Sequence, residues 1–169
     1  MIANSANATV RGFEAEALLR VGGGFSLSGQ VGYTKGKYDD IFFDLNNDRV
    51  IDARDFALKL PRLAPWTYGG AISYTTRIDA LGSIDARVSA NHRDAAWYND
   101  QNTGLLRAAT IVDANLSLTR GRYTLSLYGL NLLHEATFGT EAPLPFIPGG
   151  TFSALNKGRV YGAEVRYRF

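Results

Sequence analysis

The segment Tyr161-Gly162-Ala163-Glu164-Val165-Arg166-Tyr167-Arg168-Phe169 alternates without a slip. Every odd position is apolar or aromatic, and every even position is Gly, Glu or Arg. Successive side chains of a strand point to opposite faces, so this segment has one greasy face and one wet, charged face. The same two-residue period recurs along the chain, which predicts an all-β fold.

Seven segments carry that pattern. Thr9–Val21 sets Phe13, Ala15, Ala17, Leu19 and Val21 against Glu14, Glu16 and Arg20. Phe25–Thr34 follows after Gly22-Gly23-Gly24, a turn signal. Pro65–Thr76 carries Trp66, Tyr68, Ile72 and Tyr74 on one face. Ser83–Arg93 alternates Ile84, Ala86, Val88 and Ala90 with Asp85, Arg87, Ser89 and Asn91. Thr110–Thr119 and Tyr123–Asn131 flank the turn Arg120-Gly121-Arg122, and Arg159–Phe169 closes the set.

The connections alternate short, long, short, long, short, long. The long ones run over Lys35–Leu63, Asp94–Ala109 and Leu132–Gly158, the last rich in Pro143, Pro145, Pro148, Gly149 and Gly150. In an antiparallel up-and-down meander, all short turns then fall at one end and all long loops at the other. Transmembrane barrels are built this way. A soluble β-sandwich also alternates, but its strands average about five or six residues. The segments here run roughly nine to thirteen, and a tilted membrane strand needs about 9–11. The expectation is an antiparallel meander of about seven long strands forming part of a transmembrane β-barrel. A small standalone barrel and a soluble β-sandwich binding module are the competing readings.

Composition excludes several classes. A net charge of +2 is too small to argue for nucleic acid, and the arginines are scattered. There is no cysteine, hence no disulfide framework and no Cys-based metal site. Met1-Ile2-Ala3-Asn4-Ser5 lacks a signal peptide's basic and apolar regions, and no apolar run reaches the length of a membrane helix. The two histidines, His92 and His134, sit in no hydrolase or metalloprotease motif. No enzymatic activity is expected.

At this point the residues resemble a family. Asn4-Ser5-Ala6-Asn7-Ala8-Thr9-Val10-Arg11-Gly12-Phe13-Glu14-Ala15-Glu16 is similar to a strand of TonB-dependent outer-membrane receptors. Leu60-Pro61-Arg62-Leu63-Ala64-Pro65-Trp66 resembles the run-in to that family's next strand. Leu125 to Leu132 resembles its penultimate strand ending in "NL", and Gly158-Arg159-Val160-Tyr161-Gly162 through Phe169 resembles its closing strand. In such barrels the alternating Tyr161, Ala163, Val165, Tyr167 and terminal Phe169 form the assembly signal read by the barrel-assembly machinery. The resemblance implies an outer-membrane location, contact with lipid, uptake of a small-molecule chelate or other nutrient with a ferric siderophore as the default, and energy from the TonB system through a plug domain. Such receptors have about 22 strands around a plugged lumen. Residues 1–169 are therefore expected to be a C-terminal fragment of a receptor barrel, without the plug and the earlier strands.

One loop carries a local signal of its own. In Asp44-Leu45-Asn46-Asn47-Asp48-Arg49-Val50-Ile51-Asp52-Ala53-Arg54-Asp55, side-chain oxygens fall at the first, third, fifth, ninth and twelfth places, from Asp44, Asn46, Asp48, Asp52 and Asp55. Val50 can offer its carbonyl at the seventh. Calcium favours hard oxygens at this spacing, so the loop is a candidate Ca2+ site. Arg49 stands where such loops carry Gly, and Asp55 where they carry a bidentate Glu. The competing reading is a solvated acidic turn. Glu14, Glu16, Arg20, Asp85, Arg87, Arg93, Glu164 and Arg166 are expected to line a lumen. Phe42, Phe43, Trp97, Tyr98, Phe138, Phe146 and Phe152 either grip a ligand or pack the loops together.

Overall fold

A computed structural model describes residues 4–144, 146–147 and 150–169. Pro145, Pro148 and Gly149 of the third loop, and Met1 to Ala3, lie outside the described residues. We number only the long strands: β1 (Ala6–Gly22), β2 (Phe25–Ile41), β3 (Trp66–Ile78), β4 (Gly82–Arg93), β5 (Ala109–Arg120), β6 (Tyr123–Leu130) and β7 (Val160–Tyr167). Each pairs antiparallel with its sequence neighbours in one seven-stranded sheet, and β1 and β7 are its two edges. The short turns gather at one end and the long loops at the other. Gly22, Gly23 and Gly24 all have positive φ (96°, 59° and 88°), the conformation that only glycine adopts without strain.

The register makes each face continuous. Phe13 lies opposite Tyr33, and Tyr33 opposite Trp66; Leu19 meets Leu27, which meets Ile72, which meets Val88, which meets Ala114. Leu116 and Leu118 meet Leu127 and Leu125, which meet Ala163 and Val165. A one-residue slip anywhere would move a whole strand's apolar set to the other face, so the pattern pins the register.

The apolar face is uncovered. Leu19, Ile72, Val88, Leu116, Tyr161 and Val165 are all exposed, Val165 at 72%. No second layer covers the sheet among the described residues, so the β-sandwich reading fails: its greasy faces would have to meet in a dry interior. Aromatic clusters mark both ends of the band. Phe13, Tyr33 and Trp66 cluster near the long loops, with Tyr33 and Trp66 rings 4.7 Å apart. Phe25 packs on Tyr74, and Tyr123 on Tyr167, near the short turns. The eight residue steps from Tyr33 back to Phe25 span about 26 Å along the strand, which suits the roughly 25 Å apolar band of a membrane barrel once tilt is counted.

Two strands depart from the sequence reading. β2 continues to Ile41, where the sequence alone suggests a stop at Thr34. The cause is an inversion of polarity. Past Tyr33 the outward positions carry Lys35 and Lys37, while the inward ones carry Gly36, Tyr38 and, past a bulge at Asp39, Ile41. Strand pairing persists, but the greasy residues have changed sides. Residues 42–65 fold over that inner side. Tyr38, Ile41 and Leu45 form a small buried core with Ala6, Leu58 and Leu60. Gly36 leaves room for this packing: a Cβ there would stand 2.3 Å from Leu60 Cδ1 and 2.7 Å from Leu63 Cδ2 and push both side chains back. At the other end, the ladder of β7 stops at Tyr167, and Phe169 lies just beyond it.

Candidate functional site

The wet face of the sheet is a hydrogen-bonded surface. Glu14, Glu16, Arg20, Asp85, Arg87, Arg93, Glu164 and Arg166 all fall on it by register. Arg87 donates to Ser73 Oγ at 3.1 Å, Thr75 donates to Asp85 at 2.8 Å, and Gln30 donates to Asn91 at 3.4 Å. Arg166 pairs with Glu164 at 2.9 Å. Ser117 meets Ser126, and Thr119 meets Thr124, across β5 and β6. A shallow groove of about 550 Å³ runs over this face past Glu16, Gln30, Gly69, Arg87 and Asn91. Gly69 keeps it open, because a Cβ there would lie 2.4 Å from Asn91 Oδ1.

The long loops form a docked set rather than separate excursions. Tyr38 Oη donates to Asp100 at 3.0 Å. The backbone N–H of Lys59 donates to Asn102 Oδ1 at 2.7 Å, and Asn102 Nδ2 donates back to the Lys59 carbonyl at 2.8 Å. Arg62 N–H donates to the Trp97 carbonyl at 2.6 Å, and its guanidinium lies 4.6 Å over the Tyr98 ring. A two-residue ladder, Ala96–Trp97 with Leu105–Leu106, stiffens the second loop. The third is anchored by Asn131, buried, whose side chain bridges both backbone groups of Glu135 and whose N–H donates to Asp113 at 2.8 Å. Of the loop aromatics, Tyr98 and Trp97 serve this docking. Phe42, Phe43, Phe146 and Phe152 stay exposed. The Tyr38–Asp100 and Lys59–Asn102 links escape sequence reading, because their partners lie 62 and 43 residues apart.

The acidic loop closes on its own backbone. Asp44 accepts from the N–H groups of Asn47 and Arg49, Asn46 from Asp48, and Asp48 from Val50. Arg49 adopts φ 73° where a glycine would be expected. Asp52 caps the helical turn Ala53–Phe56 and accepts from Arg54 N–H at 2.7 Å. Asp55, fully buried, takes the N–H groups of Leu45 and Asn46 on one oxygen and of Asp52 on the other. These donors, Asp52 foremost, hold its carboxyl below the usual carboxylate range against the opposing effect of burial. Arg54 likewise holds Asp52 down. The Arg54 guanidinium sits 2.8 Å from Asp48 and 2.9 Å from Asp52, the second and third of the four carboxylates in the calcium pattern. Among the described residues no three acidic or histidine side chains converge on one point for a metal.

His92 stacks on Tyr68 at 4.6 Å, and its ring nitrogens face Thr110 at 2.8 Å and Asp94 at 3.2 Å. No serine joins them, and the arrangement is an aromatic contact fixed by two hydrogen bonds. On β7, Tyr161, Ala163, Val165 and Tyr167 share the apolar face, and Phe169 meets the Tyr167 ring edge-on at 5.1 Å.

By sequence, no curated protein gives a significant match. The fold is similar to that of the ferric yersiniabactin uptake receptor FyuA from Yersinia pestis, with TM-score 0.83 and 17% identity over 98% of this chain and 24% of that one. It is also similar to the siderophore receptor PiuA from Acinetobacter baumannii, with TM-score 0.68 and 14% identity over 94% of this chain and 21% of that one. The chain thus spans about a quarter or less of the length of the receptors it resembles. A family model described as TonB dependent receptor-like, beta-barrel matches residues 1–132. The chain belongs to the TonB-dependent receptor β-barrel family.

Proposed function

We propose that this chain forms the C-terminal part of an outer-membrane receptor barrel that imports a ferric siderophore, with energy delivered by TonB through a plug domain. The observation that carries the reading is the uncovered apolar face, continuous from β1 to β7, set back to back with a polar, hydrogen-bonded face. Only lipid on one side and water on the other satisfies both. The edges β1 and β7 carry unpaired backbone groups, which the remaining strands of a closed barrel would satisfy. In this reading Tyr161, Ala163, Val165, Tyr167 and Phe169 are the signal for the barrel-assembly machinery. The docked loops around Tyr38, Asp100 and Asn102 help to shape the outer mouth, where a chelate first binds.

The test is uptake of radiolabelled iron by iron-starved cells carrying the full receptor. The reading expects saturable uptake of a ferric siderophore that vanishes without TonB and weakens when Tyr38→Phe and Asn102→Ala loosen the loops. TonB-dependent uptake of cobalamin or a carbohydrate, with none of any ferric chelate, would refute the choice of ligand.

A further inference from the structure

Three loops and the inner wall converge on one cavity of about 480 Å³. The first loop brings Arg62, the second Leu106 and the third Phe138; the wall brings Asn91, Arg93 and Ile111. Register sets these wall residues on the inward face, Asn91 between Gly69 and Ile111, and Arg93 opposite Thr67. Asn91 also borders the groove over the wet face, which places the cavity at the outer end of the lumen. The third loop flanks it as an irregular hairpin. Asn156 N–H donates to the Thr137 carbonyl at 2.9 Å, Gly139 N–H donates to the Ala154 carbonyl at 3.0 Å, and Phe138 bridges to Leu155. Gly104 of the second loop lets that hairpin approach, because a Cβ there would stand 2.1 Å from the Glu141 carbonyl oxygen.

The charge of the cavity is one-sided. Arg62 and Arg93 line it, and no Asp or Glu among the described residues does. Neither guanidinium belongs to an ion pair among the described residues. Both are held by groups that leave donors over. Arg93 donates to the carbonyls of Asp94 and Arg107, each at 3.2 Å, and keeps further N–H groups for a guest. Arg62 takes φ 58°, fixed by its N–H on the Trp97 carbonyl, and its guanidinium lies over the Tyr98 ring. A ring contact engages the face of a guanidinium and leaves its in-plane N–H groups free. Two positioned cations with no carboxylate to pair them favour an anionic guest.

The lining narrows the identity of that guest. The planar fork of arginine matches the two oxygens of a carboxylate. Leu106, Ile111 and Phe138 suit an organic body, and the cavity has the size of an ordinary small-molecule site. A bare inorganic anion would leave those apolar walls without contact. We infer that Arg62 and Arg93 are specificity-determining residues that read a free carboxylate on the chelate, so that carboxylate-bearing ferric complexes are bound in preference to uncharged hydroxamate ones. The inference rests on the siderophore reading above and deepens it.

The experiment is calorimetry on the full receptor in detergent micelles, titrated with ferric rhizoferrin, an anionic polycarboxylate complex, and with ferrichrome, an uncharged trihydroxamate complex. Arg62→Gln and Arg93→Gln are compared with Lys157→Gln, which neutralises an exposed cation of the third loop outside the cavity. A heat-modifiable gel band reports that each variant is folded. The parent should bind ferric rhizoferrin more tightly than ferrichrome. Each cavity variant should lose about tenfold or more for ferric rhizoferrin, the worth of a charge-assisted hydrogen-bonded pair, and with it the preference between the two complexes; Lys157→Gln should keep both. A role in loop structure alone would lower both affinities together and leave their ratio unchanged, and that result would overturn the inference. Unchanged rhizoferrin affinity in the folded cavity variants would overturn it too. A parent that binds ferrichrome as tightly, or ferrichrome alone, refutes this subsite and leaves the siderophore reading standing. A parent that binds neither complex also refutes it, and the iron-uptake assay above then decides whether the siderophore reading falls as well.

Discussion

Replacing Val88 with arginine probes the energetics of the apolar face most sharply. Val88 lies at the centre of the outward run of β4, four residues from His92 and four from Ile84, with Ile72 and Ala114 opposite. Facing hydrocarbon at that depth, an arginine costs about 2–4 kcal/mol, a factor of roughly 30 to 700 in the folded-to-unfolded ratio. Its neighbour Ser89 points the other way, between Ala71 and Asp113. An arginine there stays in water beside a carboxylate and costs at most a few tenths of a kcal/mol, as ordinary surface substitutions do. The full receptor refolded into lipid vesicles, with unfolding followed by tryptophan fluorescence in urea, measures both. The reasoning expects Val88→Arg to lower the unfolding midpoint sharply and Ser89→Arg to leave it almost unchanged. Equal effects, or a larger effect at Ser89, would refute the assignment of faces.

Three further outcomes follow from local geometry. Gly24→Ala should destabilise the first turn more than Gly23→Ala in the same urea assay: both have positive φ, but only at Gly24 would the new Cβ lie 2.2 Å from the Thr75 carbonyl oxygen. Residues strained in this way cost about 1–3 kcal/mol. Asp52 and Asp55 have lowered pKa values, so their contribution is complete above the unfolded carboxylate value near ~4 and is lost as pH falls through the folded values. Hydrogen-exchange protection at Leu45, Asn46 and Asp52, taken relative to the intrinsic rate at each pH, should be high at neutral pH and fall below about pH 4; protection that rises on acidification would contradict this. If the acidic loop takes calcium, the ion must displace Arg54 from Asp48 and Asp52. Calorimetry on the full receptor should show calcium binding strengthened by Arg54→Ala and abolished by Asp44→Ala with Asp48→Ala, and no binding heat in either the parent or Arg54→Ala would end the calcium reading.

Much of the sheet was legible because its physics is local. Where one face is apolar and the other polar, as in Ser83–Arg93 and Thr110–Thr119, alternation locates the strand to within a residue or so of its ends. Where the surroundings of the two faces exchange, the same rule fails. Lys35, Gly36 and Lys37 read as a loop because the outward face has left the apolar band and the inward face has met Leu60 and Leu63. The bulge at Asp39 shifts the alternation once more. The spacing of Asp44 to Asp55 suggested a calcium loop, with a solvated acidic turn as the alternative; in the structure its side chains accept from the loop's own backbone. What spacing could not show is that Arg54 folds back onto Asp48 and Asp52, or that Asp55 is engaged by backbone donors. The loop docking through Tyr38, Asp100 and Asn102 depends on long-range contacts that no local pattern encodes.

The chain contains no cysteine, so single cysteines placed from Ile84 to Asn91 each carry one spin label within this segment, any cysteine elsewhere in the full receptor being replaced by serine first. In lipid vesicles, labels at 84, 86, 88 and 90 should collide with membrane-soluble oxygen, and labels at 85, 87, 89 and 91 with a water-soluble nickel chelate. Labels at 84, 86, 88 and 90 that are shielded from both quenchers, or that meet only the nickel chelate, would contradict the placement of this face against lipid.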